Sequence, residues 1–375
     1  MKLVMFCHAF SSCWNNGNAH FLRGVARELV QLGHSVTVFE PAEGWSRTNA
    51  LADAGNGALA DMRELVPGVA VRGYADLDLT EALDGADAVL VHEWNEPALI
   101  AAIGRRRIQG DRFVLLFHDT HHRAITAPEE LSKFDLGGFD GVLAFGGVLR
   151  DIYASRGWAR RAFTWHEAAD VALFHPIRGE AKEDDIVWIG NWGDDERSAE
   201  IAEFLIEPSR RLGLTGTIYG VRYPQHAIDA ISSSGLRYGG WLPNHQAPLA
   251  FARARVTVHV PRGPYARQLP GIPTIRVFEA LACGIPLVSA PWDDCEQLFP
   301  GASYIKVSSG AAMEAALSGV LNDPQLAASL IANGLRVIAE RHTCRHRVLE
   351  LLAIIDGLQG HGRQQPHAAL QRAAS

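Results

Sequence analysis

The chain has 375 residues, 47% of them hydrophobic and 21% charged, and its formal net charge is −7. That length accommodates two domains with separate cores. The acidic balance excludes a general nucleic-acid binder, which needs a broad basic face to neutralise phosphates.

The opening MKLVMFCHAF carries one Lys, lacks a small-residue cleavage pattern and reads as a strand rather than a signal peptide. No apolar run approaches the length of a bilayer span, so membrane contact is at most peripheral. Five cysteines (Cys7, Cys13, Cys283, Cys295, Cys344) form no CxxC pair and are odd in number, which argues against a zinc cluster and a disulfide framework. Free thiols point to a reducing, cytoplasmic compartment.

Residues 1–40 read as a βαβ unit. Leu3 to Cys7 is a strand, Ser11 to Asn18 a polar loop, Ala19 to Leu32 a helix and Ser35 to Phe39 a strand. Phe21, Leu22, Val25, Leu29 and Leu32 recur at helical spacing, Asn18 is placed as N-cap and Gly33 as C-cap. Gly17 lets the first loop approach a ligand closely, but no GxGxxG is completed and a dinucleotide site is unsupported. Val69 to Arg72 is a short strand, and Asp76-Leu77-Asp78 reads as a solvated loop rather than a metal-diphosphate site.

Two further strands end in histidines, Ala88 to Val91 before His92-Glu93-Trp94 and Arg112 to Phe117 before His118-Asp119-Thr120-His121-His122. Strand ends of a parallel sheet converge on one crevice, so His118 or His92 is suited to proton transfer or a hydroxyl hydrogen bond there. Caps and loop residues are the competing explanation, and the spacing does not match a helical metal motif. Gly141 to Ala144 is a strand and Leu149 to Arg156 a helix. The charged, aperiodic stretch Ile177 to Asp185 marks the domain boundary.

The second half restarts with the strand Ile186 to Ile189, a helix from Ser198 to Leu212, and strands Thr215 to Tyr219, Leu236 to Tyr238 and Val256 to Val260. From Phe251 to Phe278 there is no acid but five arginines, Arg253, Arg255, Arg262, Arg267 and Arg276. Thr274 opens the helix IRVFEALAC, stopped by Gly284 and Pro286. A helix N-terminus at a sheet's carboxyl edge is an anion site. Glu279 in this apolar helix requires a partner, either Arg276 at i+3 spacing or a ligand. Helices follow at Gly310 to Leu321, Pro324 to Ala339 and His346 to Leu358. The tail from Gly360 is too polar to pack and is expected to be disordered.

FEALACGIPLVSAP resembles the donor-domain signature of two-domain GT-B glycosyltransferases, especially the retaining, nucleotide-sugar-using group related to glycosyltransferase family 4. YGVRYP, YGGWLPN and VTVHVPR are similar to its spore-coat-protein-related branch. The resemblance covers most of the chain. It implies an α/β fold of two Rossmann-like, doubly wound parallel-sheet domains facing a cleft. The expected division is 1–176 for the acceptor-side domain, 177–345 for the donor domain, 346–359 for a helix packing back on the first domain, and 360–375 for the tail.

By that resemblance, Glu279 holds the donor ribose, Thr274, Ile275 and Arg276 face the diphosphate, Trp241 and Leu242 read the base, and His118 lies near the transferred sugar. Gly17 and Asn191 join the donor site. Two departures stand out. The first acid of the family's Glu-x7-Glu is Gly271, and the usual basic residue after the first donor-domain strand is Asn191. Diphosphate charge then falls to Arg222, Arg262, Arg267, Arg276 or Arg197, with Arg222 and Arg276 favoured. The resemblance implies a metal-independent transferase without cofactor, taking a sugar from a nucleotide-sugar donor to a glycan, lipid-linked or small-molecule acceptor. A nucleotide-sugar epimerase and a non-catalytic nucleotide-binding or assembly protein are the alternatives.

Overall fold

A computed structural model describes residues 1–59, 61–193 and 196–370, with the backbone alone considered for Asn56, Ala58 and 361–370. Its first sheet contains β1 (Lys2–Phe6), β2 (Ser35–Pro41), β3 (Ala70–Tyr74), β4 (Ala88–His92), β5 (Val114–Asp119), β6 (Gly141–Ala144) and β7 (Ala162–Thr164). All pair in parallel, in the order β3-β2-β1-β4-β5-β6-β7. The second sheet contains β8 (Asp184–Ile189), β9 (Gly216–Tyr219), β10 (Leu236–Gly240), β11 (Ala254–His259), β12 (Leu287–Ser289) and β13 (Ile305–Lys306), in the order β10-β9-β8-β11-β12-β13. Each order reverses direction beside its first strand, between β1 and β4 and between β8 and β11. Such reversals leave a crevice at the carboxyl ends of the strands.

The two-domain, doubly wound architecture expected from the sequence is therefore borne out. The first helix runs Ala19–Gln31 and buries Phe21, Leu22, Val25 and Leu29, as its apolar spacing requires. Asn18 makes no side-chain cap; its amide Nδ2 instead donates to Thr120 Oγ1 at 2.8 Å, tying the first loop to the end of β5. Asp78 is a capping residue, accepting from Thr80 N at 2.8 Å. Periodicity did not reveal the helix Pro97–Ile108 or strands β7 and β13, which are short or weakly amphipathic. The helix expected from Ser198 to Leu212 is helical throughout but widens to a π turn over Ala202–Ile206, just before Pro208, which has no N–H to donate.

The crevice helix, Ile275–Cys283, ends at Gly284 in a left-handed cap with φ +68°. Val277, Phe278 and Leu281 are buried in an apolar cluster that also contains Phe21, Leu22 and Val25 of the first helix, so one core joins the two halves. Burying each such side chain stabilises by about 1.5–3 kcal/mol. The last helix, Cys344–Leu370, returns to the first half. Arg347 O accepts from Trp165 Nε1 at 2.8 Å, and the Cys344 thiol sits so close to Gly24 that a Cβ there would lie 2.5 Å from Sγ. This helix runs ten residues past Gly360, where the tail was expected to begin; 371–375 lie outside the described residues. Among the described residues no helix is long and apolar enough to cross a membrane.

Candidate active site

A crevice of about 1240 Å³ opens between the carboxyl edges of the two sheets. The first half supplies residues at or just beyond six strand ends: His8 after β1, Ala42 after β2, Tyr74 of β3, Trp94 after β4, Thr120 and His121 after β5, and Phe145 after β6. The second half supplies Gly190 and Asn191 after β8, Arg222 after β9, His259 and Val260 at the end of β11, and Thr274, Ile275 and Arg276 at the start of the crevice helix.

The second-half wall is cationic. Thr274 occupies the N-cap position with extended backbone, but its hydroxyl makes no capping hydrogen bond, so this helix end is left for an outside acceptor. Arg276, Arg222, Arg262 and Arg197 line the same space. Arg222 is exposed and sits in the left-handed region at φ +62°. Arg197 is buried against Val260 O, to which Nη1 donates at 2.7 Å, and burial lowers its pKa to about 10.

The acid-free stretch is not a basic patch once folded. Arg253 pairs with Glu180 at 2.9 Å, Arg255 with Asp185 at 3.1 Å, Arg262 with Glu196 at 2.6 Å and Arg267 with Glu200 at 2.9 Å. Of its five arginines only Arg262 and Arg276 line the crevice. Arg267, one of the five diphosphate candidates, lies outside it.

Glu279 is wholly buried behind the helix start rather than in the crevice lining. One carboxylate oxygen pairs with Arg276, and Oε1 lies 2.9 Å from His20 Nδ1, which is also 3.0 Å from Gly17 O. Burial raises the carboxyl pKa, but Arg276 and then His20 outweigh it and hold the group below its usual range. The partner question is thus answered for this structure by Arg276, with His20 of the first half as a second. Gly17 lies directly over Ile275, where a Cβ would approach Cγ2 to 3.0 Å.

His118 does not reach the crevice. It belongs to β5 itself, which extends two residues beyond the expected end at Phe117. It is fully buried among Trp165, His92 and Phe21, with both ring nitrogens unpartnered among the described residues. Burial lowers its pKa to about 3. The first-half histidines that line the crevice are His8 and His121, lowered by burial to about 4 and about 2. Below them Glu93 accepts from Thr120 N at 2.7 Å and Arg123 Nη2 at 2.8 Å, while Asp119 accepts from Tyr153 OH at 2.7 Å. Burial pushes both carboxyls up. Arg123 also stacks 3.9 Å from the centre of the Trp94 ring.

Trp241 and Leu242 are outside the crevice lining. Strand β10 continues to Gly240, and Trp241 then packs with Val221 and with Trp14 and Ala50 of the first half. Asn191 lines the crevice and bridges the halves: its Nδ2 donates to Asn15, and its Oδ1 accepts from Val221 N at 3.0 Å.

Gly271 has φ +83°, and a Cβ there would lie 2.6 Å from Glu296 Oε1. Glu296 occupies this space while accepting from Gly147 N at 2.7 Å and contacting His166 Nε2 at 3.0 Å. Burial raises its pKa, but the bonds from His166 and Gly147 hold it below the usual carboxylate range. Sequence reasoning missed this residue, together with Glu167 and Trp45 of the crevice lining; it placed Trp94 at a strand end facing the crevice, where it is found. For Glu167 the available signal was an acid inside the otherwise uncharged WHEAA.

Residues 197–353 match the family described as Glycosyl transferase-like. No curated protein matches the sequence. Among solved structures, the sucrose-phosphate synthase of Thermosynechococcus elongatus is 15% identical with a TM-score of 0.66, over 96% of this chain and 99% of that one. Anabaena HepE, in complex with UDP and glucose, is 14% identical with a TM-score of 0.63, over 95% and 99%. The T4 phage BGT in complex with UDP and Mn2+ is 11% identical with a TM-score of 0.60, over 96% and 99%. At the level of fold the expected resemblance is borne out: the chain has the GT-B glycosyltransferase fold, and residues 197–353 carry the glycosyl transferase-like sequence.

Proposed function

We propose that this GT-B protein transfers a sugar from a nucleotide-diphosphate sugar, held by its second half, to an acceptor held by its first. The carrying observation is the uncapped start of the helix Ile275–Cys283 opening on the crevice beside Arg276 and Arg222. The helix dipole and fixed guanidinium groups favour negative charge there, and most strongly the charge that develops on a departing diphosphate. Glu279 sits one turn behind, where a small withdrawal of His20 or Arg276 would free an oxygen for the ribose hydroxyls. UDP bound to HepE and to T4 BGT makes a uridine nucleotide the first donor to test.

The first-half wall suits the acceptor. Trp45 and Trp94 are exposed and line the crevice with Tyr74, presenting aromatic faces. His8 and His121 are held neutral and so accept a hydrogen bond from an attacking hydroxyl without adding charge. Burial removes His118 from direct contact, and in this reading it supports His92 and Trp165 from below. Retention of anomeric configuration, and catalysis without a metal, follow from the resemblance in FEALACG and from arginines taking the diphosphate charge.

Calorimetric titration with UDP, GDP, ADP and TDP, followed by NMR of the product anomer with the matching sugar nucleotide, tests this reading. Turnover that persists in EDTA and a retained anomer are expected; an inverted anomer or metal-dependent turnover would remove those parts. Glu296 filling the space beside Gly271 favours one second reading, a nucleotide-binding protein without transfer. Tight diphosphate binding without either transfer or donor hydrolysis would select it.

A further inference from the structure

Glu167 follows β7 in the first half and lines the crevice, yet only 3% of it is exposed. Its Oε1 is sealed from solvent and has no hydrogen-bond partner among the described residues. Leaving such an oxygen unpaired forfeits its hydration without replacement, so a buried orphan at a cavity wall needs an explanation. The surroundings supply one. Glu167 lines the same crevice as Thr274, Ile275 and Arg276, the helix start that is suited to the diphosphate. Burial and then Glu279 push its pKa well above the usual carboxylate range.

We propose that the Glu167 carboxyl hydrogen-bonds hydroxyls of the donor sugar, reaching across from the first half to the unit attached to the diphosphate. A protonated carboxyl both donates and accepts, matching a sugar hydroxyl that does the same. An ionised, unpaired carboxylate facing the diphosphate would repel it, whereas Glu279 carries its charge against Arg276. Glu296 does not compete for this role, because it is absent from the crevice lining and occupied by Gly147 and His166. The chain therefore brings a sugar-recognising acid from the opposite half. The assignment rests on the nucleotide-sugar reading above.

The test compares two probes on the full chain: the best-bound of UDP, GDP, ADP and TDP, and the same nucleotide carrying glucose. Glu167→Ala is expected to weaken the glucose nucleotide about tenfold, the loss of one or two hydroxyl hydrogen bonds, and the bare diphosphate less than about twofold. Glu167→Gln, which keeps a neutral donor and acceptor, should restore most of the affinity. Equal weakening of both probes would make Glu167 merely structural, and unchanged affinity for both would remove it from the site. Tighter diphosphate binding by Glu167→Ala would show an ionised, repelling carboxylate and overturn the proposal. Failure of wild type to bind any of the four diphosphates would instead overturn the donor reading, and this assignment with it.

Discussion

The two walls of the crevice use charge in opposite ways. The second-half wall gathers Arg197, Arg222, Arg262 and Arg276 around an uncapped helix start. The first-half floor is equally rich in ionisable groups, but burial drives His8, His118 and His121 to pKa values of about 4, 3 and 2 and pushes Glu93 and Asp119 upward. One wall thus holds fixed charge, and the other suppresses it. Residue type alone does not distinguish these; the depth of each group does.

The largest effect should come from removing the residue that ties the cationic wall together. Glu279→Ala leaves Arg276 and His20 without their shared carboxylate and should cost about 2–3 kcal/mol in urea unfolding. That cost sits at the low end for a broken buried pair because the Arg276 side chain is 24% exposed. Stability within about 0.5 kcal/mol of wild type, the scale of an ordinary surface change, would show that the pair is not structural. Arg276→Ala should reduce nucleoside-diphosphate affinity about 30-fold, the scale of one charge-assisted hydrogen bond, while leaving affinity for the nucleoside nearly unchanged. Equal losses for both ligands would take Arg276 out of the phosphate site.

The neutral floor is tested through pH. His118 has a folded pKa of about 3 against about 6.5 unfolded, so the unfolded chain takes up its proton first on acidification. Its neutral form supports stability fully above about pH 6.5, and that support is lost as pH falls towards about 3. The unfolding free energy of wild type relative to His118→Phe should therefore drop by about 1.4 kcal/mol per pH unit between about pH 6 and 4. A difference independent of pH would mean that His118 is not held neutral. Smallest of all should be Arg267→Ala, which breaks an exposed pair with Glu200 and should change stability and nucleotide affinity by less than about 0.5 kcal/mol. A loss matching that of Arg276→Ala would restore the whole arginine stretch as a binding surface.

Much of this arrangement was legible in the residues. Apolar spacing located the first helix, β-branched runs located the central strands, and Thr274 with Gly284 bracketed the crevice helix. The misplacements have a shared physical origin. Strands β5 and β10 run two residues further than their apolar runs suggest, which keeps His118 inside the sheet and carries Trp241 into the contact with Trp14 and Ala50. The side chains that reach the crevice beyond β5 are therefore Thr120 and His121. The arginine stretch was misleading because its counter-ions, from Glu180 to Glu200, lie more than 60 residues earlier in the chain. Only folding brings them together.

The packing at Gly271 bears on how this chain can change. Its backbone is left-handed at φ +83°, and Glu296 already fills the volume that a side chain would enter. A single substitution to Glu at 271 would meet strain and a like charge together. Placing an acid there would require Glu296 to be shortened as well, and that in turn would release Gly147 and His166 from their contact with the second half. The glycine is thus held by its neighbour: an acid at 271 takes at least two coupled mutations, with a loosened contact between the halves as the intermediate.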